Sequence, residues 1–453
     1  MNRLNEEARE AYFEEIFRTI KNQQKETFRE KFLELHPTDQ MELFQTLYKE
    51  KRAYVYQYLS AEELADIFQG LDVDMQKQVI DEIDKTYAAK MFNFMQADDA
   101  ADFLSEIDDQ NAKEILSAME KVEADEVIEL LSYPPQTAGA IMTKEYIAIK
   151  ATDTVSEVMD HLRKLGPDAE TIYYLYVVNE KDKLIGVISL RDLITAPLDE
   201  TVVNLMSTQI VTIEAHTDQE EVAKIIKDYD FIAAPVVTTT NELIGIVTVD
   251  DVMDVLEEET DEDFGEISAT KGATDVNISS FTAAKKRSPW IIMLMFFGLI
   301  TAGVIGQFEE TLEEIVLLAV FIPLIMDSAG NTGTQSLAVM VRSLATGTFE
   351  KKGLMHTVRR EFGTGLMLGL ICAVVLMILV PIIYGSFLLA FIVGVSLFLT
   401  LSIATIIGAV VPVAINKLKL DPAIASGPFI TTVNDILGLL IYFTIATSLL
   451  QYL

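Results

Sequence analysis

A 453-residue chain with a single cysteine, Cys372, set inside an apolar run, has no disulfide framework and no thiolate zinc cluster within it. Histidine is nearly as scarce. His36, His161, His216 and His356 are scattered, form no ligand motif and read as ordinary residues. Positive charge is short as well: 35 Lys and Arg stand against 69 Asp and Glu, a net charge of −34. Such a surface repels phosphate, which excludes nucleic acid as a partner, and suits the collection of cations. The opening stretch MNRLNEEAREAYFEEIF lacks the basic and apolar regions of a signal peptide, so the soluble part is expected to begin and stay in the cytoplasm. No Gly-x-x-x-x-Gly-Lys-(Ser/Thr) loop is present for nucleotide hydrolysis.

Charge is also absent from most of the last third. Residues 1–287 carry 60 acidic and 28 basic side chains, whereas residues 288–453 carry 9 and 7. A spanning helix needs about 20 mostly apolar residues. Residues 288–308 are uncharged, 315–341 have Asp327 alone, 362–416 are uncharged and long enough for two helices broken near PIIYGS, and 422–453 have Asp435 alone. Five spans are predicted. Lys and Arg collect in cytoplasmic loops. Lys285, Lys286, Arg287, Arg342, Lys351, Lys352, Arg359, Arg360, Lys417 and Lys419 all fall on one side of this arrangement. The soluble domains are therefore expected in the cytoplasm and the C-terminus outside a plasma membrane.

Two repeats organise the rest. LHPTDQMELFQTL (35–47) matches LSAEELADIFQGL (59–71), and MQADDAADFLSEI (95–107) returns the pattern. Short amphipathic helices recurring at multiples of about 12 residues predict an all-α solenoid over residues 1–131. LIGVISLRDLI (184–194) then matches LIGIVTVDDVM (243–253), each preceded by a strand-like run and a helix. This resembles a tandem α/β pair of CBS modules, at 132–199 and 200–256. Such modules often bind adenine nucleotides, the hydroxyl meeting phosphate and the Asp meeting ribose. That resemblance points to Ser189 and Asp192, and to Thr248 with Asp251; the plainer reading is an Asp that caps the next helix.

An acidic connector follows at 257–285. Its approach, DDVMDVLEEETDEDFGE (250–266), has ten acids in seventeen residues, and such runs are usually solvated faces. Asp251 and Asp254 share a helix face, as do Glu259 and Glu262. Asp218, Glu220 and Asp230 in the second module, and Asp98 and Asp102 in the solenoid, offer further carboxylates. Oxygen ligands without His or Cys suit Mg2+ or Ca2+ better than Zn2+. Divalent ions would bridge such faces, which otherwise repel.

The intramembrane acids sharpen this reading. An Asp at the centre of a spanning helix costs roughly 2.5–3.5 kcal/mol on insertion scales. Asp435 has no Lys, Arg or His within the apolar spans to neutralise it. PLIMDSAGNTGTQS in span two places Asn331 and Gln335 on one helix face, and Asn434 adjoins Asp435 in span five. These groups either bond helix to helix or line water. Two copies of Asp435 meeting on a twofold axis would bind a hydrated dication.

The order of solenoid, CBS pair, acidic connector and five-helix α transmembrane domain (286–453), with GNTGTQS and Pro428…Asp435, resembles the MgtE magnesium channels over essentially the whole length. The resemblance implies a homodimeric, non-enzymatic Mg2+ channel in membrane lipid. It places a pore between spans two and five, with Asp435 on hydrated Mg2+, and implies closure by Mg2+ bound between cytoplasmic domains. Carried over by position, the sensor is Asp218, Glu220, Asp230, Asp251, Asp254, Glu259, Glu262 and Asp263, with Asp98 and Asp102 in the solenoid. ATP would meet Tyr174, Asp192 and Phe231. Asp327 is a further pore-lining candidate. Two alternatives are weighed: a broader Co2+ or Mn2+ transporter, and an intramembrane aspartyl protease using Asp327 and Asp435. The protease lacks its Gly-x-Gly-Asp pattern, since Val-Asn-Asp stands at Asp435.

Overall fold

The computed structural model describes residues 6–270, 279–345, 353–418 and 426–449. The chain forms two compact units, residues 1–255 and 256–453.

The first unit opens with ten short helices among the described residues, α1 (Glu6–Lys21) to α10 (Lys121–Leu131). A side chain that ends one helix and starts the next sets their length. Ser60, Asp72, Asp84 and Asp108 each accept a hydrogen bond from an amide of the first turn, and Ser60 with Glu63 forms a reciprocal capping box. Helices α3 (Pro37–Gln45), α5 (Ala61–Phe68), α7 (Lys85–Phe92) and α9 (Asp109–Ala118) stack in succession. Phe44, Phe68 and Phe92, 24 residues apart, are all buried. The rings of Phe68 and Phe92 lie 5.7 Å apart, centroid to centroid. Thus the unit at 83–95, absent from the repeats aligned by sequence, supplies a central ring. The tyrosine and alanines of that segment hide the repeat from simple comparison.

Two three-stranded sheets follow, one in each CBS module. Parallel β1 (Ala148–Lys150) and β2 (Tyr174–Val178) continue into antiparallel β3 (Leu184–Ser189); β4 (Ile213–Glu214), β5 (Ala233–Val237) and β6 (Leu243–Thr248) repeat the order. Even the irregularity is duplicated, a register shift at Val177/Val178 in one sheet and at Val236/Val237 in the other. The repeated glycine of both motifs has a packing cause. A Cβ on Gly186 would strike Met206, and one on Gly245 would lie 2.7 Å from the Met142 sulfur. The second module shares one continuous core with the solenoid, through Ile213, Val222, Val252 and Val255, whereas most of the first module's apolar residues form a core of their own. Helix α15 (Val249–Ile267) is one rod across the sequence-derived boundary at 256. Residues 271–278 of the expected connector lie outside the described residues.

The second unit holds five helices long and apolar enough to cross a membrane, among the described residues. They are α16 (Ser280–Gly306), α18 (Ile322–Ala345, with a preceding 3-10 turn), α19 (Leu354–Tyr384), α20 (Phe387–Lys417) and α21 (Gly427–Leu449); the short α17 (Glu309–Glu314) lies between the first two. The break near PIIYGS is a left-handed Gly385 (φ 73°) ending α19 and Ser386 capping α20. Helix α20 is the most buried span, and α18 and α21 pack against it and each other. Buried Tyr442 donates to the Leu318 carbonyl at 2.8 Å, tying α21 to the entry of α18.

Candidate functional site

Two groups of polar residues are built by this fold, one in each unit. In the second, α18 and α21 cross where glycine removes the side chain. A Cβ on Gly330 would lie 2.5 Å from Thr431 Cγ2 and 3.4 Å from Asp435 Oδ1, and one on Gly333 would overlap the Asn434 amide. The hydroxyls of Thr334 and Thr431 join the helices at 3.2 Å. Asp327, Asn331 and Gln335, at i, i+4 and i+8, form an exposed stripe on α18, while Ala329 and Leu337 are fully buried. Asn331 donates to Asp327 Oδ1 at 3.0 Å. Asp435 is half-buried, and its Oδ1 together with both polar atoms of buried Asn434 has no hydrogen-bond partner among the described residues. Helix periodicity aligns the oxygens of Asp327, Asn331 and Gln335 on one exposed face of α18, the donor chemistry that meets hydrated Mg2+.

The second group gathers at the N-terminus of α8 (Ala97–Ser105) in the first unit. Asp98 is buried, and its carboxyl is held well above the usual range, first by burial and then by Asp99, Asp251 and Glu145. Asp99 is pushed up to about 7 by burial, Asp251, Glu170 and Glu145. Glu170 rises to about 7 by burial and the charges of Asp251, Asp250 and Glu145. Burial also raises Asp251, against the bonds it accepts from Thr248. Glu145 reaches the Ala97 amide at 3.3 Å, and Gln96 donates to Glu170, so both acids sit at the positive end of the helix. Among the described residues no three His, Cys, Asp or Glu side chains converge tightly enough to hold a metal ion. The arrangement is a repelling set of like charges rather than a finished cage.

The sequence-derived candidates divide accordingly. Asp98, Asp251 and Asp254 join the acidic group, since Asp254 also raises Asp99. Asp102 is exposed one turn along, and Asp99 is the nearer companion of Asp98. Asp218 and Asp230 cap opposite ends of α14 (Gln219–Tyr229), with Glu220 in its first turn. At 1.5 Å per residue those ends are about 18 Å apart, too far to share one ion within a chain. Glu259, Glu262 and Asp263 lie on the part of α15 that belongs to the second unit. Asp99, Glu145 and Glu170 were not found by sequence. Asp99 is flagged only by its neighbour in Asp-Asp, and the other two are isolated acids in connecting loops.

Of the nucleotide candidates, Ser189 and Thr248 occupy matching places in the two modules, paired with Tyr174 and Ala233 respectively. Tyr174 pairs in register with Ser189, whose hydroxyl donates to Asp192 at 2.6 Å. Phe231 stacks on Tyr229 at 5.3 Å. Thr248 is buried, and its hydroxyl donates to Asp251 at 2.5 Å.

A helical domain and a CBS pair joined to five helices of spanning length, one of them with an exposed polar stripe, define a multi-pass membrane transporter with an attached CBS-containing domain. Residues 322–445 match the family of divalent cation transporters, 35–136 the MgtE intracellular N domain, and 138–199 and 202–258 the CBS domain. The chain belongs to the MgtE family of magnesium transporters. It is 45% identical over 445 residues to the magnesium transporter MgtE of Enterococcus faecalis, covering 98% of each chain. Against that of Bacillus subtilis it is 42% identical over 426 residues, 94% of each. The crystal structure of the soluble part of a magnesium transporter aligns with a TM-score of 0.54 at 42% identity, over 55% of this chain and 99% of that one. The cytosolic domain of the Mg2+ channel MgtE in complex with ATP aligns at 0.51 and 37% identity, over 53% and 98%.

Proposed function

We propose that this protein is a homodimeric channel for Mg2+ influx, closed by Mg2+ held among its acidic cytoplasmic domains. The observation that carries the pore is the exposed Asp327–Asn331–Gln335 stripe beside Asp435. Facing lipid, three polar side chains in a row would be costly; facing the same stripe of a second copy across water, they solvate a cation. A twofold axis along α18 and α21 pairs the two Asp435 carboxylates, whose charge a hydrated dication balances. Asn331, Gln335, Asn434 and Asp327 offer oxygens to its water shell. Flow is passive and inward, since an inside-negative potential favours entry by about 2.3 kcal/mol per charge per 100 mV. The one-sided distribution of basic residues supports soluble domains in the cytoplasm and a C-terminus outside.

Closure works through α15. Mg2+ bridging Asp98, Asp99, Asp251 and Asp254 removes the repulsion between the solenoid and the second module. Further ions bind at Asp218 and Glu220, at Asp230, at Asp102, and at Glu259, Glu262 and Asp263. Support for coupling comes from the end of α15, where Ile267 packs with Leu337 and Val341 of α18 and Ile430 of α21. ATP binding to the CBS pair, on the Tyr174, Ser189, Asp192 and Phe231 faces, adjusts the same equilibrium, while Thr248 stays with Asp251. An ion shifts it only by its difference in affinity between the two states.

In proteoliposomes, Asp435→Asn is expected to abolish Mg2+ uptake while insertion and dimer content stay unchanged. Uptake at the parent rate would overturn the pore. Uptake of Co2+ or Mn2+ in place of Mg2+ by the parent would favour the broader transporter.

A further inference from the structure

One buried carboxylate in the spanning helices has no part in the pore described above. Glu361, in the second turn of α19, is only 5% exposed. The Ser336 hydroxyl, on α18, donates to its Oε2 at 2.8 Å, and Arg360 pairs with its Oε1 at 2.8 Å. A buried carboxylate carries a desolvation penalty that its bonds must offset.

The place of Ser336 gives that bond a consequence. It adjoins Gln335 on the pore-facing stripe, yet turns its own side chain to the opposite, buried side of α18. On that side α18 meets α20 almost backbone to backbone: a Cβ on Gly408 would overlap the Gly333 carbonyl and lie 3.0 Å from Ser336 Cβ. Glycine contacts set how closely α18 and α20 approach, and a directed hydrogen bond on this side adds to the Thr334–Thr431 contact with α21 in opposing rotation of α18.

We infer that Glu361 is a positioning residue: through Ser336 it fixes the rotation of α18 about its axis, and so aims Asp327, Asn331 and Gln335 at the conduction path. The inference rests on the pore reading above. Rotation by one residue, 100°, would carry the stripe away from Asp435.

The test uses the full-length protein in liposomes, with Mg2+ flux expressed per folded, inserted molecule. Ser336→Ala and Glu361→Ala are each expected to lower flux about tenfold, the scale of one charge-assisted hydrogen bond. The double variant should be no worse than the worse single one, because both remove the same bond. Glu361→Gln keeps an acceptor for Ser336 and should restore most of the flux. A cysteine at position 331 in a Cys372→Ser background should lose reactivity toward a water-soluble thiol reagent in the Ala variants and regain it with Gln. Additive losses, or flux and reactivity per folded molecule at parent values beside a lowered melting temperature, would overturn the inference. If Glu361→Ala does not fold, Ser336→Ala and Glu361→Gln decide alone. Asp435→Asn in the same liposomes separates the two ideas. A conducting Asp435→Asn overturns the pore reading, whereas a blocked one beside an unaffected Ser336→Ala overturns only the role of Glu361.

Discussion

At the scale of single residues, burial and like charge act together on the acids near α8. Asp99 and Glu170, each pushed up to about 7, hold protons more tightly in the folded arrangement than in an unfolded chain. A carboxyl raised in this way leaves the fold most stable below its ordinary range and withdraws stability as pH climbs through the raised value. Without divalent ions, the isolated soluble part is therefore expected to melt at a lower temperature at pH 8 than at pH 6. Mg2+ should raise that temperature more at pH 8, where the carboxylates are free to bind it. Calorimetry at the two pH values, with and without Mg2+, checks both signs. Asp98, Asp251 and Asp254 of this group are legible in the sequence, because they belong to periodic acidic segments. Glu145 and Glu170 carry no local pattern and are drawn in by the way the first module's loops meet the solenoid.

At the scale of elements, α18 keeps two incompatible faces on one rod. Ala329 and Leu337 are fully buried, whereas Asp327, Asn331 and Gln335 are exposed four residues apart. The 3.6-residue period alone separates them. In a Cys372→Ser background, cysteines at 327, 331 and 335 are expected to react with a membrane-impermeant thiol reagent, and cysteines at 329 and 337 to resist it. Mg2+ should slow the first set. Uniform reactivity along the helix would show that the stripe is no water-filled path. The α15 rod makes a related point. Its acids read as one cluster in sequence, but a helix rises about 1.5 Å per residue, so Asp251 and Asp263 are about 18 Å apart, too far to share one ion within a chain.

At the scale of the whole molecule, the proposed sensor would work by repulsion that a cation relieves. Removing one carboxylate should weaken Mg2+ binding and lessen the need for it at the same time. Asp251→Asn deletes a group that raises Asp98, Asp99 and Glu170 together. In this variant the Mg2+ concentration giving half-maximal protease protection of α15 and the segment after it is expected to rise about tenfold, as for loss of one charged ligand. The protected fraction without Mg2+ should rise slightly. An unchanged Mg2+ midpoint would remove Asp251 from the sensor. Conduction by the variant at intermediate Mg2+ should exceed that of the parent, since the closing ions bind less.

Much of this architecture follows from one-dimensional pattern. Apolar runs of spanning length, the 24-residue spacing of Phe44 and Phe68, and the twice-repeated LIG motif each depend on period and composition, which a sequence displays directly. The isolated Asp435 is equally visible, because a charge in an apolar run stands out without any knowledge of its neighbours. What the sequence leaves open is which distant groups meet. Asp99 with Glu170, Ser336 with Glu361, and Ile267 with Leu337 and Ile430 are neighbours only because the chain folds back on itself. Each such contact depends on the rotation and approach of packed helices, quantities that close-packed glycines and single hydrogen bonds decide and that no local spacing encodes.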